Sequence, residues 1–293
     1  MKIRRILSVF LLTVLMVSLM LTPQAYAMPA LEIKAKAAVL VDADEGRIIF
    51  GQNEQEREYP ASITKVMTAL LTLEAVDAGK LSLDQPITAS AVVNDQDPEG
   101  SSAGIEEGEV LTVEQLLYCL LLVSANEAAD ILAETVSGSR EAFVELMNQR
   151  AQELGMNDTS FVNCTGLDDG TDAVNHRTSA YDIALMSRQL LKYHPLIKNY
   201  TTIWMDTVRD GTFGLSNTNK LIRFYSGATG LKTGFTSGAG YCLSASAMRD
   251  GMELIAVVMG AETSQSRNAA CKSLLDYGFA NFAVVSPDLS DCD

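Results

Sequence analysis

The sequence predicts a mixed α/β fold of the α+β kind, on three observations. Two β-rich runs near the start, residues 37–41 and 47–50, flank the turn chemistry of Asp44-Glu45-Gly46 and read as a hairpin. From Ser62 to about residue 193 the dominant pattern is helical. From Gly230 to Met259 the chain turns back to β-like runs, with Arg249-Asp250-Gly251 as a turn. At 293 residues and 47% hydrophobic content the chain can bury a substantial core, as one large or two ordinary domains.

The N-terminus is read apart from the fold. Lys2, Arg4 and Arg5 form a basic start, residues 6–21 are apolar, and Pro23 precedes the small-x-small pattern Ala25-Tyr26-Ala27. Residues 1–27 are therefore expected to be a signal peptide, with 28–293 exported across the cytoplasmic membrane. The apolar run is slightly short for a membrane anchor, so membrane attachment is expected only through an uncleaved N-terminus. Residues 1–27 carry three cations and no Asp or Glu, so cleavage takes the net charge from −15 to −18. With no basic stripe to neutralise phosphates, nucleic acid is excluded as a partner.

Each element has a local reason. Residues 62–79 are helical by pattern. Pro86-Ile87-Thr88 opens a polar connection that runs through Asp95-Gln96-Asp97-Pro98-Glu99-Gly100. Thr112-Val113-Glu114-Gln115 is a capping-box start for a buried helical run over 116–123. Ser124-Ala125-Asn126-Glu127 repeats that spacing, so Ser124 suits the cap of a helix over 127–136 that stops before Gly138. Amphipathic helices are expected over 143–154 and 179–193, and Arg267 opens the last one. Five cysteines, Cys119, Cys164, Cys242, Cys271 and Cys292, are an odd number without metal spacing. Cys119 and Cys242 lie inside apolar runs and read as small buried hydrophobes; no structural bridge is expected.

The chemistry starts at Ser62-Ile63-Thr64-Lys65. Serine and lysine three apart share one face of a helical turn. A hydroxyl is a poor nucleophile until a base takes its proton, and a desolvated lysine near other cations serves as that base. The helix start adds N–H groups and a positive dipole end where an oxyanion forms. The two histidines, His176 and His194, come with no Gly-x-Ser-x-Gly elbow and no His-x-x-x-His spacing. A Ser-His-Asp triad and a zinc hydrolase therefore have no support.

Ser124-Ala125-Asn126 and Lys232-Thr233-Gly234 follow Ser62-x-x-Lys65 in that order. Three such motifs together carry far more weight than one. With them the sequence resembles the penicillin-recognising serine acyl-transferases, and within these the low-molecular-weight penicillin-binding D-alanyl-D-alanine carboxypeptidases. The stretches around Leu154-Gly155-Met156-Asn157, Asn163-Cys164-Thr165-Gly166-Leu167 and His176-Arg177-Thr178-Ser179-Ala180-Tyr181-Asp182 also resemble this family.

The resemblance covers about residues 33–283. It implies a β-lactamase/transpeptidase-like fold: an antiparallel sheet flanked by helices, a helical lobe, and the active-site cleft between them. It implies removal of the terminal D-alanine from peptidoglycan stem peptides through an acyl-enzyme, without a cofactor or metal, and covalent inhibition by β-lactams. Ser62 would be the nucleophile, Lys65, held neutral by cationic neighbours, its base, and Ser124 the proton relay to the leaving amine. Asn126 would hold the peptide carbonyl. The N–H groups of Ser62 and Phe235 would form the oxyanion hole beside Gly234. Lys232, Thr233 and Arg267 would take the terminal carboxylate.

Two departures from the pattern stand out. The family usually continues into a small β-sandwich and a C-terminal amphipathic helix, for which Asp293 leaves no room; residues 28–293 are therefore expected to be the catalytic domain alone. Phe235 stands where many relatives carry histidine, which shifts the expected substrate preference. Two rival readings remain open. A class A β-lactamase shares the motifs but adds Glu-x-x-Leu-Asn, which does not occur between Ser124 and Lys232. A non-catalytic penicillin or peptidoglycan sensor would acylate and turn over slowly, although intact Ser62 and Lys65 count against it.

Overall fold

Along the chain, β1 (Ala37–Asp42) and β2 (Ile48–Gln52) precede α1 (Lys65–Asp77), β3 (Pro86–Thr88), β4 (Val110–Thr112) and α2 (Val113–Leu122). Then come α3 (Asn126–Ser137), α4 (Arg140–Glu153), α5 (Ala180–Tyr193) and the single-turn α6 (Lys198–Thr201). β5 (Met205–Val208), β6 (Phe213–Ser216), the single-turn α7 (Leu221–Phe224), β7 (Ala228–Thr236), β8 (Gly240–Arg249), β9 (Met252–Ala261) and α8 (Ser264–Asn281) complete the order. The structure, a computed structural model, describes residues 31–96, 100–168 and 172–284. The expected signal peptide and Cys292 lie outside the described residues.

The main sheet has five strands in the order β2-β1-β9-β8-β7, and every neighbouring pair is antiparallel. The first hairpin and the last three strands thus meet, through β1 against β9. Both faces of the sheet are covered. On one side Ile255, Val257, Met259, Val39 and Val41 join the main core, and Ser187 on α5 hydrogen-bonds Ser244 on β8 at 2.8 Å. On the other side α8 presses so closely that a methyl group at Gly278 would meet Leu254 at 2.4 Å. Double coverage explains why β9 reads as a continuous apolar run over 254–259 rather than an alternating one.

Caps set the helix bounds as local chemistry predicts. Thr112 and Gln115 form the reciprocal capping box that starts α2. Ser139 and Ser179 accept from Ala142 and Asp182 to start α4 and α5. Gly138 ends α3 with φ of 83°, in the left-handed region. α8 starts at Ser264, under a Thr263–Ser266 capping box, so Arg267 lies within its first turn rather than opening it.

Other details differ from expectation. Ser62 sits in a 3-10 turn, Ala61–Thr64, and the α-helix begins only at Lys65. Ser124 caps nothing: Ala125 holds the N-cap position without a side-chain bond, and Ser124 has φ of 67°. That backbone turns the hydroxyl away from the helix it would cap. Pro86–Thr88 is a short strand paired with Val110–Thr112. The β5–β6 hairpin went unread because its residues are too exposed to alternate clearly. Cys119, Cys164, Cys242 and Cys271 are buried and free.

Candidate active site

The Ser62 turn is held from two sides by backbone that only glycine permits. Gly234 on β7 lies against it: a Cβ there would stand 3.0 Å from Ala61 Cβ and 3.1 Å from Ile63 N. From the other side comes Gly166, with φ of 90°, where a Cβ would fall 1.9 Å from the Ala61 carbonyl oxygen. Ala61 itself has φ of 48°, so the residue before Ser62 is in strained backbone.

Lys65 is fully buried, and its ammonium has three acceptors. They are Ser62 Oγ at 3.1 Å, Asn126 Oδ1 at 2.7 Å and the Thr165 carbonyl at 2.8 Å. Burial pushes its pKa from 10.5 down to about 8, and the charges of Asp130 and Glu127 resist that shift. The expected cause, a cationic neighbourhood, is therefore wrong: loss of water depresses Lys65, and two of its charged neighbours are acidic.

The second motif comes from the break between α2 and α3. The Ser101 carbonyl accepts from the Asn126 N–H at 2.9 Å and fixes the start of α3. Ser124 Oγ is buried without a partner among the described residues, and its side chain lines the cleft. Asn126 spends its Oδ1 on Lys65, which leaves its amide N–H groups for a ligand carbonyl.

The third motif lies on β7, an outer strand of the sheet. Lys232 is 1% exposed, and its Nζ donates to the Thr233 carbonyl at 2.9 Å. Burial, then the charges of Lys65 and Arg267, hold its pKa well below the usual lysine range. An arriving carboxylate would favour its charged form. Phe235 is 53% exposed and its ring lies 4.3 Å from that of Tyr241, over which Arg267 sits at 5.9 Å.

These parts open on one cleft of about 590 Å3, lined by Ser62, Ser124, Asn126, Thr233, Gly234, Phe235 and Arg267. Lys65 and Lys232 stand behind it, buried. The structure thus brings all nine sequence-predicted residues together. It adds residues that sequence reasoning missed. Thr165 binds Lys65, and Thr218 Oγ1 lies 2.7 Å from Thr233 Oγ1. Thr218 and Lys220 line the cleft because the buried Asn217 and Asn219 pin their backbone, the latter to the Gly230 carbonyl. The run Asn217-Thr218-Asn219 was the available signal. His176 is buried against Thr64 rather than exposed in the cleft. No group of three His, Cys, Asp or Glu side chains among the described residues is placed to hold a metal.

A serine under a desolvated lysine, at the junction of an antiparallel sheet and a helical lobe, defines an active-serine acyl-transfer hydrolase. The chain matches the family model for D-alanyl-D-alanine carboxypeptidase over residues 23–263. It is 41% identical over 288 residues to the D-alanyl-D-alanine carboxypeptidase DacF of Bacillus subtilis, covering 95% of this chain and 72% of that protein. It is 34% identical to DacD of Escherichia coli, covering 87% of this chain and 65% of that protein. Among solved structures, penicillin binding protein 6B from E. coli superposes with a TM-score of 0.81 at 34% identity, over 88% of this chain and 81% of that one. The chain belongs to the D-alanyl-D-alanine carboxypeptidase family, whose members are serine-type hydrolases, and it has their fold.

Proposed function

We propose that the chain removes the terminal D-alanine from peptidoglycan stem peptides, with the roles divided as follows. Lys65 Nζ in its neutral form keeps donating to Asn126 Oδ1 and the Thr165 carbonyl, so its lone pair faces Ser62 Oγ. Ser62 Oγ gives its proton to that lone pair and attacks the carbonyl carbon between the two D-alanines. The oxyanion is taken by the N–H groups of Ser62 and Phe235, each such donor being worth about 3 kcal/mol. The C–N bond breaks as Ser124 gives its proton to the leaving amine and takes in exchange the proton that Lys65 received from Ser62. Water then attacks the ester and restores Ser62. Asn126 holds the peptide carbonyl, while Lys232, Thr233 and Arg267 receive the terminal carboxylate.

The observation that carries this reading is the 3.1 Å contact of Lys65 Nζ with Ser62 Oγ while its other two donors are occupied. β-Lactams would acylate the same serine, as the name of the E. coli penicillin binding protein suggests. Peptidoglycan lies outside the cytoplasmic membrane, so export through residues 1–27 fits the substrate; no helix among the described residues is long and apolar enough to cross a membrane.

The test is labelling of residues 28–293 with a fluorescent penicillin, alongside D-alanine release from a D-Ala-D-Ala peptide. Ser62→Ala is expected to abolish both. A labelled Ser62→Ala protein would remove Ser62 from the nucleophile role, and labelling of the wild type without release would favour a sensor.

A further inference from the structure

His176 takes no part in the acyl transfer described above, yet it is only 1% exposed and lies beside the Ser62 turn. Its Nδ1 is 3.0 Å from the Val162 backbone N and accepts that N–H. The proton of the neutral ring is therefore on Nε2, which donates to Thr64 Oγ1 at 2.8 Å. Thr64 in turn donates to the Ala61 carbonyl at 2.9 Å. An unbroken chain of hydrogen bonds thus runs from Val162, through the imidazole, to the residue before Ser62. Phe161 packs against the ring at 5.8 Å in an edge arrangement.

The segment that His176 grips, residues 162–168, covers Lys65. It supplies the Thr165 carbonyl to Lys65 Nζ and the Cys164 carbonyl to Thr68 Oγ1, at 2.8 Å each. Gly166 seats it on the Ala61 carbonyl. Together these contacts seat the segment over the buried amine.

We propose that His176 is a positioning residue whose clamp, from Val162 through His176 and Thr64 to Ala61, holds segment 162–168 shut over Lys65 and keeps that amine dry and aimed at Ser62. The inference rests on Lys65 being the base of the proposed reaction. The titratable groups that face Lys65 are Asp130 and Glu127 from α3, Cys164 from the segment itself and Lys232 from β7. Asp168 faces His176, and the adjacent Arg177 is engaged with the Tyr59 ring at 3.3 Å. Burial pushes His176 down to about 4, so its neutral tautomer and the clamp persist at neutral pH. Cutting the clamp lets water in, and Lys65 then titrates nearer its ordinary value.

The test measures Ser62 acylation by a fluorescent penicillin against pH, with thermal midpoints, for the wild type, Thr64→Val, His176→Asn and the double variant. Thr64→Val keeps the side-chain shape and removes the hydroxyl. His176→Asn keeps an acceptor for Val162 but no longer reaches Thr64. Each single variant is expected to move the rising limb of the pH profile upward by at least about half a unit, roughly a threefold loss of rate at pH 7. The double variant is expected to add little, because both changes cut one chain of bonds. A limb that stays at the wild-type pH while the thermal midpoint falls would overturn the proposal and leave His176 a purely stabilising residue. Should His176→Asn fail to fold, the isosteric Thr64→Val alone decides by the same limb. A wild type without any limb near pH 8 would instead refute Lys65 as the base, a separate failure.

Discussion

In the proposed reaction Lys65 carries both a structural burden and a chemical one, and its depressed pKa links them. At pH 7 a group titrating at about 8 is mostly the ammonium, and the fraction with a free lone pair grows as pH rises. Acylation by a penicillin is therefore expected to rise about tenfold per unit below pH 8 and to level off above it; a flat profile between pH 6 and 9 would exclude Lys65 as the titrating base. Ser124 shows the same tension. Its φ of 67° is costly for a residue with a Cβ, and its hydroxyl is buried without a partner among the described residues. Ser124→Gly removes both costs, so its thermal midpoint is expected to match or exceed that of the wild type. Its rate of D-alanine release is expected to fall by about 10²-fold or more, the usual worth of a general acid. A drop in stability together with full activity would contradict both parts of that account.

Elements contribute by their edges and crossings. The Ser62 turn is sandwiched between β7 and the segment around Gly166, and both close in on the backbone of residues 60–63. Gly166→Ala is expected to destabilise the protein by more than about 2 kcal/mol, since a Cβ would overlap a carbonyl that has nowhere to move and φ is positive. Thermal unfolding with acylation of the folded fraction checks this, and a near-wild-type midpoint would mean that the segment can withdraw. Helices were legible where local signals were read: the Thr112–Gln115 box, Ser179 and Gly138 each act within four residues, whereas the Ser139 cap starts α4 at Arg140, ahead of the expected 143. The 3-10 start at Ser62 was not legible, because it follows from strain at Ala61 imposed by β7 and Gly166.

From Ile33 onward the molecule is built around α1, which is buried along nearly its whole length. A helix without a solvent face carries no amphipathic stripe, and its length is set by packing rather than pattern. Leu70→Ala, at 0% exposure, is expected to cost about 2–5 kcal/mol in denaturant unfolding. Penicillin labelling of the folded protein should persist, because Leu70 touches the core and not the cleft. A loss below about 1 kcal/mol would imply that the surrounding helices collapse into the space.

The sequence by itself determined the three motifs and their order, since Ser62 and Lys65 lie three apart and Ser124-Ala125-Asn126 and Lys232-Thr233-Gly234 follow in one chain. It also determined the Thr112–Gln115 capping box, the stop at Gly138 and the β-like runs near both ends of the fold, whose causes lie within a few residues of each. Only the tertiary structure decided how the amine of Lys65, the proposed base, is tuned. Its depressed pKa comes from burial under packing that includes a segment 100 residues away in the chain, and not from neighbouring cations. Ser124 was likewise decided in space: its backbone serves the cleft and not the helix it precedes. Desolvation and strain depend on what packs against a residue, and no local pattern records that.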